Sequence, residues 1–218
     1  MKPSPMSRFL QRCFALAAAL LLWLPLATAA TAPAPAALSA QDKAELQQIA
    51  AYLNNIHTMY ARYRQAASGG ASTGQLWILR PGRMRFEYDA PNPVSLFADG
   101  TYIYYWDKQL NQVSQVALKA TPAWFLLRDH ISFDDVIVTG MEHGQGTIRV
   151  AVVENAQPDA GTLTMVFAEN PLALRQWTVV DQQGKTTTVS LSDVQFGIPV
   201  DAKIFQYQDP SAGSHRER

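Results

Sequence analysis

The pentapeptide Gly70-Ala71-Ser72-Thr73-Gly74 spells G-x-S-x-G, the spacing at which a hydrolase presents a serine nucleophile on a sharp strand-to-helix turn. Its surroundings do not fit that chemistry. It lies in a Ser/Gly/Ala-rich stretch at 68–74, runs into an apolar strand pattern and is followed by no helix, so the fitting reading is a hairpin loop. The histidines His57, His130, His143 and His215 are dispersed, with no H-x-H or H-x-x-x-H pair, and the one cysteine, Cys13, lies near the N-terminus, so no metal site is expected. Asp129-His130 and Asp134-Asp135 could assemble an acid/base device in space, but adjacent charges near a helix end ordinarily form a solvated face. No glycine loop of phosphate-cradling form occurs, and no cofactor is called for.

The charge pattern narrows the partners. The 218 residues carry 18 Lys+Arg against 18 Asp+Glu, without a run of four like charges, which leaves no basic field for gripping nucleic acid. A hydrophobic share of 48% against 17% charged excludes intrinsic disorder of the whole chain. Lys2, Arg8 and Arg12 precede an apolar run from Cys13 to Ala27, and Ala27-Thr28-Ala29 fits a signal-peptidase site. Residues 1–30 therefore read as a cleaved secretory signal. Cys13 stands before that run rather than after it, so it is not placed as a lipid acceptor. Removing three basic residues and no acidic one leaves 15 Lys+Arg against 18 Asp+Glu, a net of −3, and no cysteine. An exported chain without disulfides must rely on a packed core, and a bacterial periplasm suits it.

Residues 31–38 are Ala/Pro/Thr-rich and read as a flexible leader, and 209–218 as a frayed polar tail, with one domain at 39–208 between them. Ser39 with Asp42 makes a capping-box variant, and Leu46, Ile49, Leu53 and Ile56 recur at spacings of three and four. The pattern predicts an amphipathic helix over 40–57. The period then changes to two. Met59, Ala61 and Tyr63 alternate with polar partners; strands follow at 75–80, 83–88, 94–98, 101–106 and 112–116, with Pro81-Gly82 and Asp99-Gly100 as turns. Thr121 as N-cap and Pro122 at the first helical position predict a short second helix through Trp124, Phe125, Leu126 and Leu127. Turn signals at 144–146, 157–161, 170–171, 183–184 and 197–199 divide the remainder into antiparallel strands of five to eight residues. The class is mainly β, an α+β arrangement built on one large antiparallel sheet or barrel.

The strands carry large groups: Trp77, Phe86, Tyr88, Tyr102, Tyr104, Trp106, Phe167 and Trp177. Such side chains can simply fill a core. Two helices with apolar faces add a sharper expectation, a sheet whose wide concave face is only partly filled and is closed by a helical lid over a greasy cavity. The expected lining is Leu76, Ile78, Met84, Phe86, Tyr88, Leu96, Tyr102, Tyr104, Trp106, Trp124 and Leu127, with Leu46, Ile49, Leu53 and Ile56 on the lid helix.

The run from Gly74 to Tyr88 containing Arg80-Pro81-Gly82, then Pro91, Leu96-Phe97-Ala98-Asp99-Gly100-Thr101, Tyr104-Tyr105-Trp106-Asp107 and Leu110-Asn111-Gln112-Val113, resembles the outer-membrane lipoprotein carrier protein (LolA) family. Thr121-Pro122-Ala123 before an apolar helix is similar as well, and the likeness spans about Leu46 to Tyr207. It departs from the family at Leu79, where a charged residue is frequent, and at Phe86, where Trp is. The resemblance implies an unclosed antiparallel barrel under a helical lid. It also implies a monomeric, non-enzymatic periplasmic carrier that takes acylated lipoproteins from an inner-membrane ABC-type release complex to a receptor on the outer membrane. Arg80 matches the family's arginine before proline, which the resemblance casts as a lid switch bonding backbone carbonyls. Five donors on a permanent charge suit that role. Two other readings stand beside it: a binding or sensor protein of the same build for another lipid, amphiphile or regulatory protein, and a hydrolase using Ser72.

Overall fold

The computed structural model describes residues 33–207. The signal segment 1–30 and the tail 209–218 lie outside the described residues. Among the described residues no helix is long and apolar enough to cross a membrane.

Helix α1 (Ala40–Asn54) begins as its sequence dictates. Ser39 Oγ accepts the Asp42 N–H at 3.1 Å and Asp42 Oδ2 accepts the Ser39 N–H at 2.7 Å, so both halves of the capping box form. The helix stops at Asn54, short of the predicted 57, yet Ile56 remains buried at the start of the next segment. Eleven strands follow in one sheet: β1 (Thr58–Ala67), β2 (Gly70–Leu79), β3 (Arg83–Tyr88), β4 (Val94–Asp99), β5 (Tyr102–Asp107), β6 (Gln112–Ala117), β7 (Val136–Gly144), β8 (Thr147–Glu154), β9 (Gly161–Glu169), β10 (Leu172–Asp181) and β11 (Thr186–Phe196). Helix α2 (Trp124–Leu127) interrupts them between β6 and β7.

The spatial order is β6-β5-β4-β3-β2-β1-β11-β10-β9-β8-β7, antiparallel at every pairing. Each wing is a chain of hairpins, and the one long-range pairing, β1 with β11, joins the wings at the centre. The ends β6 and β7 do not pair, so the barrel is unclosed. Register shifts at Tyr60/Arg62, Leu174/Gln176 and Val138/Gly140 insert bulges that let long strands bend. Strands β9 to β11, with 9, 10 and 11 residues, therefore exceed the predicted five to eight.

Three further expectations are corrected. The stretch 68–74 is not a wide loop, because β2 starts at Gly70 and pairs with Ala67 across a two-residue turn. Gly74 is needed there: a Cβ would fall 2.0 Å from the Glu87 carbonyl oxygen and 2.7 Å from the Tyr63 hydroxyl. Thr121 does not cap α2. Its hydroxyl donates to the Leu118 carbonyl at 2.8 Å, closing a 3-10 turn at Leu118–Ala120, and Ala123 takes the N-cap place instead. The leader also has means of packing: the Ala36 N–H donates to the Val138 carbonyl at 2.8 Å on the open edge of β7, and Leu38 packs against the core.

Strand alternation gives the sheet two apolar faces. On the concave face Leu76, Ile78, Met84, Phe86, Ala98, Val150, Met165, Phe167, Trp177 and Val189 are buried beneath Leu46, Ile49 and Leu53 of α1 and Phe125, Leu126 and Leu127 of α2. On the convex face Phe97 and Phe205 are fully buried in a smaller cluster.

Candidate lipid cavity and its arginine clamp

Cross-strand partners share a face of the sheet. Phe86 pairs with Leu96, and Ala98 with Ile103, which in turn pairs with Val116; these residues follow one another across the concave surface. Phe86, Leu96, Ile103 and Val116, with the segment Ala120–Ala123 and with Trp177, Val179 and Val189 from the other wing, line a cavity of about 420 Å³ that opens to solvent. Gln65, Thr121, Asp181, Gln182, Gln183 and Thr187 are the polar members of its lining. The volume falls within the range of about 300–1,000 Å³ in which proteins hold small molecules.

Of the residues expected to line a cavity, Met84, Phe86 and Leu96 do so. Leu76 and Ile78 lie deeper on the same face, and Ile78 borders a nearly filled void of about 20 Å³ with Leu53, Ile56, Arg80, Leu126 and Trp177. Tyr88 shares this face and donates its hydroxyl to Gln65 Oε1 at 3.0 Å. Leu127 is fully buried, while Trp124 is half-buried under Lys119. Tyr102, Tyr104 and Trp106 do not belong to the cavity. Tyr104 pairs with Phe97 and Trp106 with Ser95, both on the convex face, where Tyr104 stacks on Phe97 at 5.0 Å. Their size suggests a cavity wall, but register assigns that wall to the smaller Ile103, between Tyr102 and Tyr104, and to its partner Val116 on β6. Pairing through the Asp99-Gly100 turn is the signal that could have found Ile103.

The lid is tied down at one corner. Arg80, just past β2, donates five hydrogen bonds to four main-chain carbonyls: Nε to Arg128 at 3.0 Å, Nη2 to Arg128 at 2.7 Å and to Asp129 at 3.1 Å, Nη1 to Ile56 at 3.3 Å and to Leu53. Leu53 and Ile56 end α1; Arg128 and Asp129 follow α2. Carbonyls at and just beyond a helix end lack the full set of intrahelical donors and need partners from elsewhere. Helix α1 closes with a tightened turn, the Ile56 N–H donating to the Leu53 carbonyl at 3.1 Å, and the His57 carbonyl accepts the Arg80 N–H at 2.9 Å. Burial pushes the guanidinium's pKa down, and the charge of Asp129 opposes that shift.

Sequence reasoning missed three supports of this corner. The Gly82 N–H donates to the Leu127 carbonyl at 2.7 Å, so both ends of the Arg80-Pro81-Gly82 turn grip α2. Asn54 exchanges two hydrogen bonds of 2.8 Å with the Ile131 main chain, which fastens α1 directly to the segment after α2. Arg128, only 7% exposed, is paired with Glu154 of β8. Ser72, by contrast, sits within β2 opposite Gln65, where no strand-to-helix elbow exists.

The protein is thus a half-barrel whose concave face is covered in part by two helices that one arginine holds to the rim, with an apolar cavity open beside them. Residues 54–208 match the family described as Outer membrane lipoprotein carrier protein LolA. The chain belongs to that family. It is 29% identical over 183 residues to an outer-membrane lipoprotein carrier protein of Pseudomonas aeruginosa, covering 78% of this chain and 86% of the relative. It is 28% identical over 180 residues to one from Legionella pneumophila, covering 78% and 87%. Among solved structures it is similar to a LolA superfamily protein from Nitrosomonas europaea, at 9% identity and a TM-score of 0.42 over 74% of this chain and 97% of that one.

Proposed function

We propose that this protein is a non-enzymatic periplasmic carrier that takes up the acyl chains of a lipoprotein in the concave cavity. It receives them from an inner-membrane ABC-type release complex and passes them to an outer-membrane receptor. The observation that carries the reading is the solvent-open apolar cavity of about 420 Å³ on the concave face, bordered by the segment that leads into α2 and next to two helices that converge on Arg80. Family membership supports the lipoprotein cargo.

The energetics suit transfer rather than storage. Each methylene buried contributes about 0.8 kcal/mol, so part of one acyl chain already offers a substantial favourable term. A receptor that binds the same chains about 1.4 kcal/mol better draws them across tenfold. All four acceptors of Arg80 are neutral carbonyls, so release of Arg80 exposes them to water and separates no ion pair of its own.

Native mass spectrometry with lipid extraction, on protein purified from its own periplasm, tests the cargo. Acylated lipoprotein bound one to one is the expected result; an empty protein, or one holding another lipid only, overturns it. Arg80→Leu separates the clamp from the cargo: uptake or release of lipoprotein between membrane vesicles changes while circular dichroism retains the β signature. Unchanged transfer removes Arg80 from the mechanism.

A further inference from the structure

The first two turns of α1 carry a donor set that neither the cavity nor the clamp uses. Asp42 and Glu45, three residues apart, share a face of the helix. His143, near the end of β7 and 98 residues from Glu45, reaches them from the sheet, and one ligand-capable atom from each of the three lies within 4.8 Å of the others. His143 Nε2 is 2.6 Å from Glu45 Oε2 and 3.8 Å from Asp42 Oδ1.

The facing oxygens are aimed from behind. Asp42 Oδ2 is occupied by the Ser39 N–H at 2.7 Å, leaving Oδ1 toward the imidazole. Glu45 Oε1 is occupied by the Gln41 amide at 2.9 Å, leaving Oε2 toward it. Outer hydrogen bonds of this kind fix metal-binding carboxylates in orientation. Glu169 adds a further negative charge near His143.

We propose that Asp42, Glu45 and His143 form a site for a divalent transition cation of the zinc type, bridging the N-terminal end of α1 to β7. One imidazole and two carboxylates are a nitrogen/oxygen set that suits zinc, whereas magnesium and calcium favour oxygen alone. Bonds of about 2.0–2.2 Å place the ion between the three atoms after small side-chain rotations, and three protein ligands leave a position for water. Side-chain exposures of 39% for His143 and 19% for Glu45 admit the ion from solvent with the lid in place. Arg80 holds the C-terminal end of α1, so a bound cation fastens the helix at its other end. That consequence rests on the carrier reading; the site itself does not.

The purified protein, stripped with EDTA and desalted, is titrated with ZnCl2 by calorimetry and with CoCl2 by visible absorption. One zinc per chain is expected, with binding weakened well beyond tenfold in His143→Ala and about tenfold in Gln41→Ala, which deletes only the orienting bond. Zinc that binds His143→Ala as well as the parent, or no zinc bound by the parent, overturns the site. Melting curves of the variants without metal confirm that they fold. Uptake of a fluorescent fatty acid reads the lid separately. Zinc slows it in the parent and not in His143→Ala; equal rates with zinc bound overturn the bridge to the lid while the calorimetry still stands for the site.

Discussion

The two faces of one sheet are closed in different ways. On the concave side a cavity remains, and Arg80, beside the Asn54–Ile131 exchange and the Arg128–Glu154 pair, grips the cover through carbonyl oxygens alone. On the convex side Phe97 stacks between Tyr104 at 5.0 Å and Tyr207 at 6.5 Å, and Trp106 meets Tyr207 edge-on at 5.5 Å. The cover there is the 3-10 turn Ala202–Phe205, whose Ile204 carbonyl is bonded by Arg85. Arg85 is in turn paired with Glu87, which Lys108 also grips at 2.7 Å. Both closures use an arginine on a carbonyl. Only the convex one locks its arginine into an ion network and fills the space beneath with stacked rings. Such a seal holds the sheet; under the proposed function the other lets go.

That contrast is broken most sharply by truncating one large side chain on each face. Phe97→Ala removes a fully buried ring from a filled cluster and should cost about 3–5 kcal/mol, read as the urea midpoint at constant slope. Met84→Ala on the cavity wall should cost nearer about 2 kcal/mol, because its surroundings already contain space that no side chain fills. Equal losses would mean that the cavity is packed as tightly as the seal. Next in size is a pair chosen by register. Ile103→Ala should weaken binding of a fluorescent fatty acid by about tenfold, from two or more methylenes lost at about 0.8 kcal/mol each, whereas Tyr102→Ala on the other face should leave binding unchanged. A loss with Tyr102→Ala and none with Ile103→Ala would put the lipid on the convex side.

The residues that could be read in the sequence are those governed by local rules. Ser39 and Asp42 announce the start of α1, Gly82 and the Asp99-Gly100 pair announce turns, and alternation through Arg83–Tyr88 separates a buried face from a polar one. The convex placement of Tyr102, Tyr104 and Trp106 could not be read from size, since a tyrosine fits a cavity wall or an aromatic seal equally well and only cross-strand partners decide. The resemblance located Arg80, but its acceptors come from Leu53, Ile56, Arg128 and Asp129, on segments far apart in the chain. Main-chain carbonyls leave no trace in residue type. The Asn54–Ile131 exchange and the grouping of His143 with Asp42 and Glu45 escaped for the same reason of distance, 77 and 98 residues.

The smallest expected effect concerns pH and sharpens the claim that the convex seal is ionic where the concave clamp is not. Burial raises the Glu87 carboxyl's pKa, but Lys108 and Arg85 together outweigh it and hold the group below the usual carboxylate value. A carboxylate depressed in the folded state binds its proton more readily when unfolded. Its contribution to stability is therefore complete above the unfolded pKa and is lost as pH falls through the lower, folded one. Replacing Glu87 by Gln should flatten the acid limb of the stability curve relative to the parent, measured as urea midpoints between pH 6 and about pH 3. Arg80 gives the opposite expectation. Its acceptors do not titrate, so in Arg80→Leu the acid limb should keep the parent's shape while the whole curve drops. A parent-like acid limb in Glu87→Gln, or a flattened one in Arg80→Leu, would reverse the assignment of which arginine is held in place by charge and which by carbonyls.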